Sequence, residues 1–380
     1  MLRRLCNRKV ALISLLLLAL SFFLTAYTFA PGDSTSASQA FLDNYARRHH
    51  TPTPTRKKSP VSTSPTTIST TPTGTTTPLA QSGLQLFVEP TAGEQVILNA
   101  INNAQQSVWL ETYLLTDTNI INALEKAAGR IQVRVMLEPN PVGGGSPQST
   151  LDALKAAGAS TEDTSPSFTL THEKGMIVDG KTAFIMTCNF TYSTLNGKNR
   201  EYGIIDTNTP DVQNVIDIFN ADWNRTAIQP SDPGLVVSPT NSRTDLTAFI
   251  NSAQSSLLIE AEEMQDSGIE QAIVSAAQRG VKVQVILPSS STDSNAPGIG
   301  TIKAGGALVE EDAQLYMHAK MMVADGSSAF VGSENISSNS LDNNRELGLI
   351  FSDQSIIATL QTTFQQDWSV SQAAVQPGGR

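Results

Sequence analysis

Histidine and lysine recur in one short pattern at two places, His172-x-Lys174-x4-Asp179 and His318-x-Lys320-x4-Asp325. The chain has four histidines, and the other two, His49 and His50, lie in a stretch of low complexity. Both histidines of the globular region therefore fall in the pattern. An imidazole beside a fixed ammonium suits phosphoryl chemistry. The ammonium binds a phosphate oxygen and offsets the charge that builds in the transition state. The imidazole attacks phosphorus or carries a proton near neutral pH. One histidine cannot easily be nucleophile and leaving-group acid at once, whereas two copies brought together supply both roles.

The elements that must position these residues are readable around them. Residues 168–178 and 314–324 have strand character, and each run ends in Asp-Gly, at Asp179-Gly180 and Asp325-Gly326. Asp-Gly between strands is a strong hairpin signal. Alternation along a strand puts His172 and Lys174 on one face, and likewise His318 and Lys320. Each Asp stands at an odd offset from its His and at the turn, so Asp179 and Asp325 are expected to be structural.

The globular part is an internal repeat with a period of about 146 residues, the spacing of His172 and His318. Ser107–Glu111 matches Ser256–Glu260, Ile131–Leu137 matches Val281–Leu287, and Phe219-x-x-Asp222-Trp223 matches Phe364-x-x-Asp367-Trp368. Two copies are too few for a solenoid and suggest a pseudo-dimer fused in one chain, joined near Gln229–Gly234. Helices are expected over 96–104, 120–128, 244–253 and 269–278, with strands over 108–113, 131–137, 257–261 and 281–287. Alternating strands and helices imply α/β layers on a largely buried sheet. Residues 138–170 and 288–313 read as loops that wall the pocket. The glycines of Asn140–Ser146 lack a phosphate-loop Lys-Ser/Thr ending, so nucleotide binding is not expected there.

The duplicated pattern resembles the phospholipase D superfamily. The likeness extends to the Gly-Ser-x-Asn segment after each hairpin, which Gly332-Ser333-Glu334-Asn335 fits and Met186-Thr187-Cys188-Asn189 departs from while keeping a hydroxyl and the Asn. Farther on, Asn199-Arg200-Glu201 matches Asn344-Arg345-Glu346. The resemblance implies two pseudo-symmetric α/β/α sandwich halves with the active site at their interface. It implies a phosphohistidine intermediate on His172, a general acid in His318, and phosphate held by Lys174, Lys320, Asn189 and Asn335. It gives Glu201 and Glu346 the task of orienting His172 and His318, and it implies no metal and no cofactor. Which histidine attacks stays open between near-equivalent halves.

Composition bounds the rest. The net charge of −10 hides an asymmetry: nine of the 25 Lys and Arg and only two of the 35 acids precede residue 82, leaving 16 basic against 33 acidic residues in the globular part. A surface that tracks a nucleic-acid backbone needs clustered Lys and Arg, so a nuclease is disfavoured. Arg3, Arg4, Arg8 and Lys9 precede an apolar run over 10–30, which reads as a signal peptide or an uncleaved anchor and implies export. Residues 31–81 read as a Thr/Pro/Ser-rich stalk. Halves are expected over 82–229 and 230–372, with a tail over 373–380. Cys6 and Cys188 do not suggest a disulfide. Cys188 and the Trp223 and Trp368 rings are expected to pack in the core. Glu111 and Glu260 either approach the site or hydrogen-bond structurally, and Glu262-Glu263 reads as a solvated turn. The expected function is hydrolysis of a phospholipid to phosphatidic acid and head-group alcohol. The alternatives are a nuclease, a cardiolipin synthase-like phosphatidyl transferase, or a non-catalytic stalked binding module. A monomer suffices for any of these.

Overall fold

The computed structural model describes residues 83–142, 146–289 and 292–373. The expected leader and anchor over 10–30, the stalk over 31–81, the three glycines of the Asn140–Ser146 loop and the tail beyond 373 lie outside the described residues. Among the described residues no helix is long and apolar enough to cross a membrane.

Seven strands form the first sheet's main path: β1 (Leu84–Glu89), β2 (Ser107–Thr112), β3 (Gln132–Leu137), β4 (Ser160–Asp163), β5 (Lys174–Val178), β6 (Thr182–Met186) and β7 (Asn199–Asp206), in the order β1-β7-β6-β5-β2-β3-β4. The second sheet repeats the permutation with β8 (Leu235–Ser238), β9 (Ser256–Ala261), β10 (Lys282–Pro288), β11 (Leu308–Asp312), β12 (Lys320–Ala324), β13 (Ser328–Gly332) and β14 (Glu346–Phe351), in the order β8-β14-β13-β12-β9-β10-β11. The helices are α1 (Gln95–Asn103), α2 (Thr118–Ala128), α3 (Pro147–Ala156), α4 (Tyr192–Leu195), α5 (Thr209–Trp223), α6 (Ser242–Ser252), α7 (Ser267–Gln278), α8 (Thr292–Ala304), α9 (Ser338–Asp342) and α10 (Gln354–Val370).

Strands β2, β3 and β4 pair in parallel, as do β9, β10 and β11. Parallel neighbours need a crossover, which α2, α3, α7 and α8 provide. The caps repeat too. Asp117 accepts from Asn119 N and Ile120 N at the start of α2, and Asp266 accepts from Ile269 N at the start of α7. The other pairs among these fourteen strands are antiparallel, and the two hairpins β5–β6 and β12–β13 turn at the Asp-Gly pairs. Both residues of each turn have positive φ, 55° and 61° at Asp179-Gly180 and 55° and 62° at Asp325-Gly326. This is the turn whose twist matches a hairpin.

Each sheet buries one face under its own helices. Ile97, Ile101, Ile120, Leu124, Leu151 and Leu154 form that layer in the first half, and Leu246, Ile250, Ile269, Ile273, Ile299 and Ile302 form it in the second. The other faces share one core, in which Ile185 and Ile204 of the first sheet pack with Met321 and Leu349 of the second and with Val215 of α5 and Leu360 of α10. Each such buried side chain stabilises by roughly 1.5–3 kcal/mol, so the halves are joined by an interior rather than a surface contact. Trp223 stacks on Phe219 at 5.9 Å and Trp368 on Phe364 at 5.7 Å, half-buried against this core. Cys188 is buried and unpaired to another cysteine.

Two expectations need correction. Residues 138–170 and 288–313 are not simply loops: the first holds α3 and β4, the second α8 and β11. The helical pattern was hidden because α3 is short and α8 contains Gly298, Gly300 and an internal Pro297. The hairpin strands expected over 168–178 and 314–324 begin only at Lys174 and Lys320, with a separate two-residue strand at Tyr316–Met317. His172 and His318 therefore stand just before the strands rather than within them.

The Asp side chains of the turns reach beyond the hairpins. Asp179 Oδ1 accepts from Gln105 N, Gln106 N and Ser107 N at 3.0, 2.7 and 3.0 Å. Asp325 accepts from Gln254 N, Ser255 N and Ser256 N at 2.9, 2.7 and 2.9 Å. Partial burial pushes both carboxyls up, but these N–H groups outweigh it and hold them below the ordinary 3.8. Asp179→Asn and Asp325→Asn should each cost about 1–3 kcal/mol in urea unfolding at neutral pH. Because the folded value is depressed, the loss should be full above about pH 4 and fade as the pH falls through the folded value.

Candidate active site

The second half's Lys320 starts β12 opposite Ala261, at the end of β9, and Lys174 starts β5 opposite Thr112, at the end of β2. Glu201 in β7 lies opposite Glu89 at the end of β1, and Glu346 starts β14 opposite Ser238. Both sheets therefore present the same edge, the carboxyl ends of their parallel strands, and these edges meet.

They meet by exchange. His172 N and Glu173 N donate to Arg345 O at 2.9 and 3.0 Å, and Arg345 N donates to Leu170 O at 2.9 Å. Reciprocally, Tyr316–Met317 pairs in parallel with Asn199–Arg200. Each histidine segment is thus stitched to the other half's Asn-Arg-Glu strand. The side chains follow. His172 Nδ1 is 3.0 Å from Glu346 Oε2, and His318 Nδ1 is 2.8 Å from Glu201 Oε1. The expected Glu residues hold the histidines, but the pairing runs across the halves. Nearness in sequence suggested a partner within each half; the strand exchange makes the partner remote.

The carboxylates are themselves fixed. Glu346 Oε1 accepts from Ser340 Oγ at 2.6 Å and Asn344 Nδ2 at 3.3 Å. Glu201 accepts from Thr187 Oγ1 at 2.5 Å and Asn199 Nδ2 at 3.2 Å. Thr187 Oγ1 also accepts from Tyr202 N at 2.9 Å, as Ser333 Oγ does from Leu347 N at 3.0 Å. The Thr that departs from Gly-Ser-x-Asn keeps the bond its counterpart makes. With a carboxylate accepting at Nδ1, the proton sits there and Nε2 is the reactive nitrogen.

The arginines between the Asn and Glu clamp the same interface. Arg200 Nε and Nη2 reach Asp367 Oδ2 and Oδ1 at 2.5 and 2.7 Å, and Arg200 Nη1 reaches Glu89 O at 2.6 Å. Arg345 Nε lies 2.8 Å from Asp222 Oδ2, Nη2 donates to Asp222 Oδ1 at 2.9 Å, and Nη1 donates to Ser238 O at 2.9 Å. Both guanidiniums are buried and each crosses to the other half's last helix. Glu111 and Glu260 stand beside these clamps rather than among the histidines and lysines. Tyr202 Oη donates to Glu260 at 2.6 Å. Glu111, Glu173 and Asp222 form a buried carboxyl group of three. Burial and neighbouring acids push Glu111 well up and Glu173 up to about 8, and Arg345 answers the charge of Asp222. Arg345 acts electrostatically on all three carboxyls.

The lysines are both buried. Lys174 Nζ donates to His172 O and lies 5.3 Å from the Tyr113 ring centroid, and Tyr113 sits edge-on to His172 at 4.8 Å. Burial pushes Lys174 down to about 7, against the pull of Glu346. Lys320 Nζ donates to His318 O at 2.7 Å and to Glu262 Oε2 at 2.8 Å. Glu262 Oε2 also lies 3.4 Å from both His318 Nε2 and Asn335 Nδ2, and Tyr316 Oη donates to Oε1 at 2.9 Å. The solvated turn expected at Glu262-Glu263 is therefore wrong for Glu262, which stands in the site. The repeat held the signal: counted from Ser107 and Ser256, Glu262 takes the place of Tyr113. Asn335 joins this group through Nδ2, and the Oδ1 atoms of Asn189 and Asn335 are both buried and unpartnered among the described residues.

A family model described as "Cardiolipin synthase, PLD-like domain" matches residues 97–223 and 246–368, more than half of the chain. The chain belongs to this phospholipase D-like family. A cardiolipin synthase of Clostridium perfringens is 25% identical over 338 residues, covering 76% of this chain and 70% of that protein. A mitochondrial cardiolipin hydrolase of Mus musculus is 28% identical over 145 residues, covering 37% of this chain and 66% of that protein. The fold is shared with phosphatidylserine synthase of Haemophilus influenzae Rd KW20, with a TM-score of 0.61 at 11% identity over 77% of this chain and 87% of that one.

The clamps predict a stability pattern. Asp222→Ala strands a buried guanidinium and should cost about 3–5 kcal/mol in chemical unfolding. Asp222→Ala with Arg345→Met should recover a large part of the loss, a coupling that a double-mutant cycle reads.

Proposed function

We propose that this chain transfers a phosphatidyl group from one phospholipid to the hydroxyl of another lipid alcohol, in the manner of a cardiolipin synthase, through a phosphohistidine. The observation that carries the reading is the pair of histidines, each with its Nδ1 held by the other half's glutamate and with a buried lysine two residues on. The similarity to a cardiolipin synthase across both halves supports a lipid acceptor, whereas the cardiolipin hydrolase match reaches little more than a third of the chain. This moves the preference from hydrolysis, the reading favoured from sequence, to transfer.

In this reading His172 Nε2 attacks phosphorus and the bond to the leaving head-group oxygen breaks. His318 Nε2 gives that oxygen its proton. An incoming hydroxyl then returns a proton to His318 Nε2 and attacks phosphorus, and His172 leaves. Burial lowers His172 below its ordinary 6.5, against the pull of Glu346, which keeps its ring neutral and nucleophilic near pH 7. His318 Nδ1 is held by Glu201, which turns Nε2 toward the oxygen that takes the proton. Lys174, Lys320, Asn189 and Asn335 hold the phosphate oxygens. An approaching phosphate anion favours the charged form of Lys174, whose pKa of about 7 lies within reach of such a shift. The apolar run over 10–30 would bring the domain to a membrane on the exported side.

A second reading, hydrolysis, uses the same residues with water as acceptor. Phosphatidylglycerol vesicles separate the two: transfer yields a diphosphatidyl lipid and free glycerol, hydrolysis yields phosphatidic acid and glycerol. His172→Ala and His318→Ala should each lower turnover by at least about a thousandfold, in line with loss of a nucleophile or acid–base group, and Glu346→Gln should lower kcat with the fold intact. The acid limb of kcat/KM should lie below pH 6.5, because His172 must be neutral to attack. Full turnover by either alanine variant would sink the mechanism.

A further inference from the structure

Every group that the mechanism assigns to the phosphate in the second half is already gripping an anion, and the anion belongs to the chain. Glu262 Oε2 lies 2.8 Å from Lys320 Nζ and 3.4 Å from both His318 Nε2 and Asn335 Nδ2. Its other oxygen is tethered by Tyr316 Oη at 2.9 Å. An ammonium, an imidazole and an amide converging on one carboxylate oxygen present the donor set that a phosphate oxygen would meet. The first half is the internal control. There the equivalent position is Tyr113, an aromatic ring with no negative charge, set against His172 and Lys174.

We propose that Glu262 is a specificity-determining residue that occupies the second-half phosphate position as a resident anion, so that only a phosphodiester able to displace it from Lys320, His318 and Asn335 enters the reaction. This rests on the phosphoryl-transfer reading above. Two anions cannot share these donors, since in a poorly solvated site like charges at contact distance repel strongly. Glu262 is held well below the ordinary carboxylate range: burial pushes it up, but His318 and Lys320 outweigh that. It therefore does not yield by taking up a proton at neutral pH, and a substrate oxyanion must compete with it for Lys320. A lone oxyanion that recovers only the Lys320 contact gains little. A phosphodiester that also engages Lys174 across the interface gains the second ammonium, so the device favours ligands that bridge both halves.

The test uses the full chain, Glu262→Gln, Tyr316→Phe and Lys320→Met, with inorganic phosphate binding read by calorimetry and phosphatidylglycerol turnover read in parallel. The glutamine keeps the shape and removes the charge. Glu262→Gln should bind phosphate about tenfold more tightly, equivalent to about 1.4 kcal/mol, and should lower KM for the lipid. Tyr316→Phe, which frees the tether without touching the phosphate donors, should move both in the same direction by less. Unchanged or weaker phosphate binding in Glu262→Gln, with wild-type binding abolished by Lys320→Met, would overturn the resident-anion role while leaving the site assignment standing; it would mean that Glu262 merely positions Lys320. Absence of phosphate binding in the wild type and in Glu262→Gln alike, with no lipid turnover, would overturn both the resident anion and the phosphoryl-transfer reading.

Discussion

Everything in this molecule hangs on an exchange of carboxylates between its two halves. A buried guanidinium needs a negative partner, because an uncompensated charge in a poorly solvated interior is expensive, and a buried imidazole N–H needs an acceptor. The nearest of these partners come from the other half. His172 finds Glu346, His318 finds Glu201, Arg200 finds Asp367, and Arg345 finds Asp222. The backbone repeats the logic, with the His172 segment bonded to Arg345 and Tyr316–Met317 paired to Asn199–Arg200. The apolar core shared by α5, α10 and both sheets brings the halves together, but it is non-directional. The crossed polar contacts choose the register at which the two catalytic edges face each other.

The same crossing explains how so much charge can be buried near one point. Burial pushes Glu346 up, but His172, Lys174 and Ser340 outweigh it and hold the carboxyl below its ordinary value. Glu173 and Glu111, beside other acids, are pushed up by burial, with Arg345 opposing. Lys174, pushed down to about 7 by burial with Glu346 opposing, sits where a small gain of negative charge tips it fully to the ammonium.

Much of this was legible in the residues. The Asp-Gly pairs announced hairpins because few other residues adopt positive φ at both turn positions. The duplicated His and Lys announced a two-histidine site, and the matched Asn-Arg-Glu segments pointed to the carboxylates. What sequence could not carry was which half each glutamate would serve, since strand exchange is a long-range event with no local signature. The helices inside 138–170 and 288–313 escaped because glycine and Pro297 mask their periodicity. Glu262 was misjudged because two adjacent acids look solvated until the repeat register sets the first of them against Tyr113. The histidines were placed one step inside their strands, since apolar alternation runs on past the point where the backbone pairing starts.

The identical strand permutation of the two sheets, together with the crossed pairs, has a bearing on how such a chain can change over generations. Drift in one half is felt in the other: an altered Glu346 is an injury to His172, and an altered Asp367 is an injury to Arg200. The heritable unit is therefore neither half but the crossed pair, and the two copies cannot diverge independently at these positions. They are free to part company only where no exchange occurs. Cys188 opposite Glu334, and Tyr113 opposite Glu262, mark places where one copy has taken a chemistry the other does not share.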